Sequence, residues 1–249
     1  MTDPPSSSSC LDDASLRTAL SLWFSDRPSA ESLHGPLPSW PTCAATSLAL
    51  LFYERASFSS PLSGWDVSRV TDLSWAFVGA SAFDGDVAPW DVSEVTRAAA
   101  AFGGASAFDG DVRGWDVSRV EDTTWMFFAA ASFDRDLSNW DVGNVGHMAH
   151  MFKGARSFRR ELRWCPRKGA ETTGMFTNSS GSLRCGDEVG PSVASVGGDF
   201  VLEHGTGLVV GMFLSLIFFL LVSDRNERQS EEESEEESED IEMKALHRE

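Results

Sequence analysis

Trp65, Trp90, Trp115 and Trp140 stand 25 residues apart, and each opens a Trp-Asp-Val tripeptide with a second valine three residues on. Two phenylalanine columns keep the same step: Phe52, Phe77, Phe102, Phe127 and Phe152, and Phe58, Phe83, Phe108, Phe133 and Phe158. Three aromatic columns in phase do not arise from composition, so the chain is a repeat protein. A unit of this length cannot bury its own apolar face; copies stack and share one continuous core. A large aromatic hides roughly 150–250 Å² when buried, on the order of 4–6 kcal/mol gross per ring at about 25 cal/mol per Å². The Trp column and the Phe77 and Phe83 columns are therefore the expected repeat core.

Within a copy the spacing changes character. Val87, Trp90 and Val92 bracket a short extended segment, which Pro89 keeps from being long. Val70, Leu73, Phe77 and Ala80 then fall at i, i+3, i+7 and i+10, as on one helix face, and Val145, Met148, Phe152 and Ala155 repeat the pattern. Ser93 and Ser118 stand where an N-cap would, Ser118 with Glu121 as a capping box. Gly79, Gly104 and Gly154, with Ala129 in the third copy, stand where a left-handed residue would end the helix. The expectation is an α/β, leucine-rich-repeat-like solenoid of about five to six 25-residue coils, each a short parallel strand plus a short helix.

The rest of the chain divides around that array. Residues 1–14, rich in Pro and Ser, are expected to be disordered. Residues 15–36 hold a capping helix and a lead-in segment; Leu16, Ala19, Leu20, Trp23 and Phe24 form one apolar stripe suited to covering the open end. The repeats run over 37–163, starting with a degenerate coil around Trp40, and 164–186 is a closing coil displaced by one residue. After a linker, 187–206, residues 207–223 carry no charge and span about 26 Å as a helix, enough for a single transmembrane helix with slight mismatch. Residues 224–249 are an acidic tail in which Ser230, Ser234 and Ser238 lie among glutamates, as candidate phosphorylation sites or as part of a solvated tail.

The pattern Phe-Asp-x-Asp-(Val/Leu)-x-x-Trp-Asp-Val-x-x-Val, followed by Met-Phe-x-Gly-Ala, resembles the BspA-like leucine-rich-repeat surface proteins. It is most similar to their 25-residue branch, found in mycoplasma lipoproteins and in algae, with repeats close to FNQDISxWDVSNVTDMSxMFxGAxx. The likeness covers roughly residues 16–185 and includes the leading Leu22-Trp23 and Ser25-Asp26. Arg69, Glu94 and Arg119 stand where that family has Asn, and Ala98 to Ala101 fill the second copy's helix position. The resemblance implies the fold and a surface role, and no particular ligand.

Candidate chemistry is sparse. A net charge of −18 with no visible Lys/Arg stripe makes nucleic acid a poor partner. Asp66, Asp91, Asp116 and Asp141 would stack one coil apart; they read either as a calcium ladder or as side chains that cap a helical turn or close Asx-turns, the second being favoured. Asp84, Asp109 and Asp134, with Asp86, Asp111 and Asp136, form a second acidic stripe, read as a solvated edge. His147 and His150 lack a third ligand for zinc at matching spacing. Cys165 and Cys185 are either bridged or two buried thiols, and Asn178-Ser179-Ser180 is an N-glycosylation sequon. No nucleophile–base pair or phosphate loop is present, and repetition argues against the single asymmetric site of an enzyme, so no cofactor is expected.

The functional expectation is a membrane-anchored cell-surface or lumenal module that binds a protein or glycan. Arg225 and Arg228 after the span favour a cytosolic C-terminus and extracytoplasmic repeats. Residues 1–14 do not read as a signal peptide, so that topology requires a start upstream of Met1. The alternative is a cytosolic, tail-anchored scaffold.

Overall fold

The computed structural model describes residues 10–185. They belong to the first of the chain's two units, 1–196; the second, 197–249, lies outside them. Helix α1 (Asp13–Ser25) starts in a reciprocal box between Asp12 and Ser15 and buries Leu16, Ala19, Leu20 and Trp23, the expected stripe. Asp26 ends α1 and caps a second helix, α2 (Arg27–His34), whose Pro at the first turn needs no amide partner. Order begins earlier than the sequence suggests. Cys10 is bonded to Cys43, Leu11 is buried, and its amide donates to Pro41 at 2.6 Å, so residues 10–14 are held in place where disorder was expected.

From Trp40 onward, successive units are tied by main-chain hydrogen bonds. Leu73, Trp75, Phe77 and Gly79 donate forward to the carbonyls of Arg97, Ala99, Ala101 and Gly103 at 2.8–3.0 Å. The amides between them, Ala76, Val78 and Ala80, close turns onto Leu73, Trp75 and Phe77 at 3.1–3.4 Å. The same alternation recurs in each copy. One parallel bridge per unit runs through Ser47, Asp72, Arg97, Asp122, His147 and Glu171.

This alternation corrects the expected secondary structure. An α-helix needs every amide on the carbonyl four residues back, and here every second amide is committed to the neighbouring unit. The repeats therefore hold turns and single bridges, with no helix and no longer strand among the described residues between Trp40 and Arg160. Asx-turns take the place of the expected N-caps at Ser93 and Ser118. The left-handed residues are found where glycine marked them, at Gly79, Gly104 and Gly154 (φ 70–75°) and at Ala129 (φ 52°). A second left-handed series, Leu50, Trp75, Ala100, Trp125, His150 and Gly174, has a glycine only at its last member (φ 62°).

The aromatic columns are the core. Phe52, Phe77, Phe102, Phe127 and Phe152 stack at 5.0–5.7 Å between neighbouring units. The Phe58, Phe83, Phe108, Phe133 and Phe158 column stacks at 5.7–6.0 Å. Within a unit the two columns meet face to face, Phe102 against Phe108 at 4.0 Å. Trp65, Trp90, Trp115 and Trp140 are buried beside them. Each indole N–H reaches back to a main-chain carbonyl in the preceding unit: Leu37, Leu62, Val87 and Val112 accept at 2.9–3.1 Å. The only polar atom of each ring is thereby satisfied.

Different devices close the two ends. At the first unit the Asp13 carboxylate accepts from the amides of Thr46 (2.7 Å) and Ser47 (3.0 Å), and Arg17 donates to the Ala49 carbonyl at 2.8 Å. In later units the amides equivalent to Thr46 bond the preceding unit, as Thr71, Thr96 and Glu121 do with Thr46, Thr71 and Thr96, and at the position of Ser47 Arg97 and His147 do so too. The helix side chains thus stand in for a unit that is not there. At the other end β1 (Glu161–Leu162) pairs in parallel with β2 (Ser182–Leu183), and Cys165 is bonded to Cys185. No helix among the described residues is long and apolar enough to cross a membrane. The expected span 207–223, the linker, the acidic tail and Ser230, Ser234 and Ser238 lie outside them.

Candidate functional site

The stacked aspartates are used up by the backbone. Asp66, Asp91, Asp116 and Asp141 each accept, through Oδ1, the amide two residues on: Ser68, Ser93, Ser118 and Gly143 at 3.0–3.1 Å. These are Asx-turns. The Ser68 hydroxyl, then its amide, hold the Asp66 carboxyl below its ordinary range, and Ser118 does the same for Asp116. Such bonds offset a like-charge repulsion of about 1 kcal/mol per neighbouring pair in water.

The second acidic stripe works differently. The Asp84 carboxylate accepts the amide of Asp109 at 2.9 Å, Asp109 that of Asp134 at 3.1 Å, and Asp134 that of Arg159 at 3.0 Å. The column is a relay of carboxylates onto the next unit's backbone, with Arg135 and Arg160 salt-bridged to Asp109 and Asp134. Asp86, Asp111 and Asp136 again close turns, Asp136 depressed by the Ser138 hydroxyl and Asp111 strongly depressed by the Arg113 guanidinium. Among the described residues no three His, Cys, Asp or Glu side chains are placed to hold a metal ion. His147 faces Glu171 at 3.6 Å, while the His150 ring lies parallel to Trp125 with centroids 6.3 Å apart. The two histidines do not converge.

The repeats also carry rings outside the two phenylalanine columns and the core tryptophans. Tyr53, Trp75, Trp125, Phe128 and His150 are all half-buried, and Leu50 is 54 % exposed. The left-handed φ at Trp75 (62°) and Trp125 (57°) belongs to the outward position, while Leu73, Phe77, Thr123 and Phe127 on either side are buried. Between the two tryptophans stands Ala100, small and buried, and over it the rings of Trp75 and Trp125 meet edge to face at 6.4 Å. Tyr53 approaches Trp75 at 6.5 Å and Lys153 lies over Phe128 at 6.0 Å, so rings come from the degenerate coil and from the first, third and fourth copies, with the second bridged by the tryptophan pair. Burial, then the charge and hydrogen bond of Glu54, push the Tyr53 phenol up to about 12. Such a surface offers flat apolar faces edged by polar groups, fit to stack on a sugar ring or an apolar side chain.

Sequence reasoning passed over this stripe because its column is not uniform: Leu50, Trp75, Ala100, Trp125 and His150 look like drift in a repeat. The signal was there in two tryptophans exactly two periods apart. The Cys10–Cys43 bond was also missed, while the Cys165–Cys185 alternative resolves in favour of a bridge. All four cysteines are paired. Asn178 of the sequon is exposed, in a left-handed turn (φ 57°).

The family described as "Mycoplasma protein of unknown function, DUF285" matches residues 18–130 and, overlapping, 76–183, about two-thirds of the chain. The chain belongs to the DUF285 family. DUF285 is the family of mycoplasma and BspA-like repeat proteins, and its matches fall on the units described above. No curated protein and no solved structure matches this DUF285 chain.

Proposed function

We propose that the chain is a membrane-anchored cell-surface or lumenal binding module of the BspA-like 25-residue branch. In this reading the hydrogen-bonded units are a leucine-rich-repeat-like solenoid, and the Tyr53–Trp75–Trp125–His150 stripe meets a protein or glycan ligand. The observation that carries it is that stripe: half-buried rings from the degenerate coil and from the first, third and fourth copies lie in one column, while the acidic columns are taken up by turns and by the next unit's amides. Two disulfides, one at each end, support an oxidising compartment over the cytosol, and so favour this reading over a tail-anchored scaffold. The span at 207–223 holds the module to the membrane, with the C-terminus in the cytosol.

The test is a screen of the full-length chain in detergent against glycan and ectodomain arrays, beside a Trp75→Ala/Trp125→Ala variant. Loss of at least tenfold in signal by the variant, with unchanged melting of the repeats, is expected. Equal binding by both chains removes the stripe from the function. Occupancy of Asn178 in cells checks the compartment independently; a chain never glycosylated there and cleaved only after permeabilisation returns the scaffold reading.

A further inference from the structure

Charge is segregated along the chain. Residues 1–152 hold 8 Lys/Arg against 20 Asp/Glu, whereas 153–185 hold 8 against 2, Glu161 and Glu171. Some of this positive charge is spent inside the fold: Arg160 pairs with Asp134 and Arg184 with Glu161. Arg156, Arg163, Arg167 and Lys168 are exposed and meet no carboxylate among the described residues. The net charge of −18 hides this end completely.

A second observation falls at the same place. Met148, His150, Phe152 and Gly154 donate forward to the carbonyls of Glu171, Thr173, Met175 and Thr177. Their counterparts one unit on are Thr172, Gly174, Phe176 and Asn178, and no main-chain carbonyl of the described residues accepts from those four amides. The first unit has Asp13 and Arg17 to complete it. Among the described residues, the same stretch, 153–185, thus holds both a row of amides with no main-chain acceptor and basic side chains with no carboxylate partner. Both kinds of donor call for anionic oxygen.

The chain's own course says which anion is near. Only 21 residues, 186–206, separate this end from the uncharged run 207–223. A chain of that length reaches at most roughly 70 Å fully extended, so this end stays within reach of a bilayer that holds 207–223. We infer that the terminal unit docks on anionic lipid headgroups of the bilayer that holds 207–223, fixing the repeats at one end. The inference rests on the anchored reading above. Guanidinium forks bind phosphate oxygens in pairs, and the attraction of exposed basic side chains to an anionic surface is one that salt screens.

The test is chemical footprinting of the full chain in lipid nanodiscs, with phenylglyoxal for arginine and an acetylating ester for lysine. One set of discs contains 30 % phosphatidylserine, the other phosphatidylcholine alone. The expected result is at least a threefold slower modification of Arg156, Arg163, Arg167 and Lys168 in anionic discs. That protection should disappear at 0.5 M salt, and Arg17, Arg27, Arg55 and Arg69 should react equally in both discs. An Arg156→Gln/Arg163→Gln/Arg167→Gln variant, altered only at exposed positions, should lose the protection of Lys168. Equal reactivity in the two discs overturns the docking. Protection of the same side chains in neutral discs as well overturns anionic lipid as the occupant. A chain that fails to co-elute with either disc overturns the anchored reading itself, and the docking with it.

Discussion

The indole N–H of Trp115 donates to the main-chain carbonyl of Val87, buried and 3.1 Å away, 28 residues back along the chain. The bond joins one unit's core ring to the backbone of the unit before it. Trp115→Phe keeps most of the packing and strands the Val87 oxygen, so a loss of about 1–3 kcal/mol is expected. Trp115→Ala should lose about 3–5 kcal/mol. Urea unfolding checks both. A Phe variant as stable as the parent shows that the carbonyl finds water instead.

Asp13 completes the amides of Thr46 and Ser47. Burial raises its pKa, but the Thr46 amide, then the Thr46 hydroxyl and the Ser47 amide, outweigh this and hold it below the ordinary value. Asp13→Ala should cost about 1 kcal/mol, the scale of a lost cap. Hydrogen exchange should accelerate at Thr46 and Ser47 and leave the third and fourth copies unchanged. A uniform change along the chain counts against a local role.

Ala129 and Gly154 occupy equivalent left-handed positions, φ 52° and 75°. The left-handed region costs a residue with Cβ roughly 1–2 kcal/mol, partly offset by glycine's greater freedom when unfolded. Gly154→Ala should therefore lower stability and Ala129→Gly raise it, each by about 0.5–1 kcal/mol. Thermal melts of the two variants should move in opposite directions; movement the same way sinks the argument.

His150 is held below its ordinary 6.5 by desolvation first, then by the charge of Lys153. The folded state thus favours the neutral ring. Its contribution is full above pH 6.5 and is lost as pH falls through the lower folded pKa. Asp66, Asp116 and Asp136, also depressed, add a second loss of the same sign below about pH 3.8. Melting temperature should fall between pH 7 and pH 5, and His150→Gln should flatten that interval alone. An unchanged slope in the variant assigns the loss elsewhere.

The aromatic columns were legible because a ring every 25 residues has no other physical use. The Asx-turns were legible too, since Asp before a Ser or Gly two residues on has a local partner. The helix was not. Val70, Leu73, Phe77 and Ala80 point inward both on a helix and on a chain that alternates a turn with a bond to its neighbour, and periodicity cannot separate the two. The Trp75–Trp125 contact was hidden because it depends on Ala100 being small in the unit between. The basic end vanished in the total charge.

The forward-pointing amides of each unit meet the same carbonyls in the next, and its indole meets the same carbonyl in the one before. A whole unit added or removed in frame leaves every surviving partner matched, whereas one extra residue misaligns each ring and amide beyond it. The shortened step from Trp140 to Trp164 comes at the last described unit, whose own forward amides have no main-chain acceptor among the described residues to keep in register. Genes for chains of this kind should therefore vary in length by whole multiples of 75 nucleotides in the interior, with irregular lengths tolerated only at the margins.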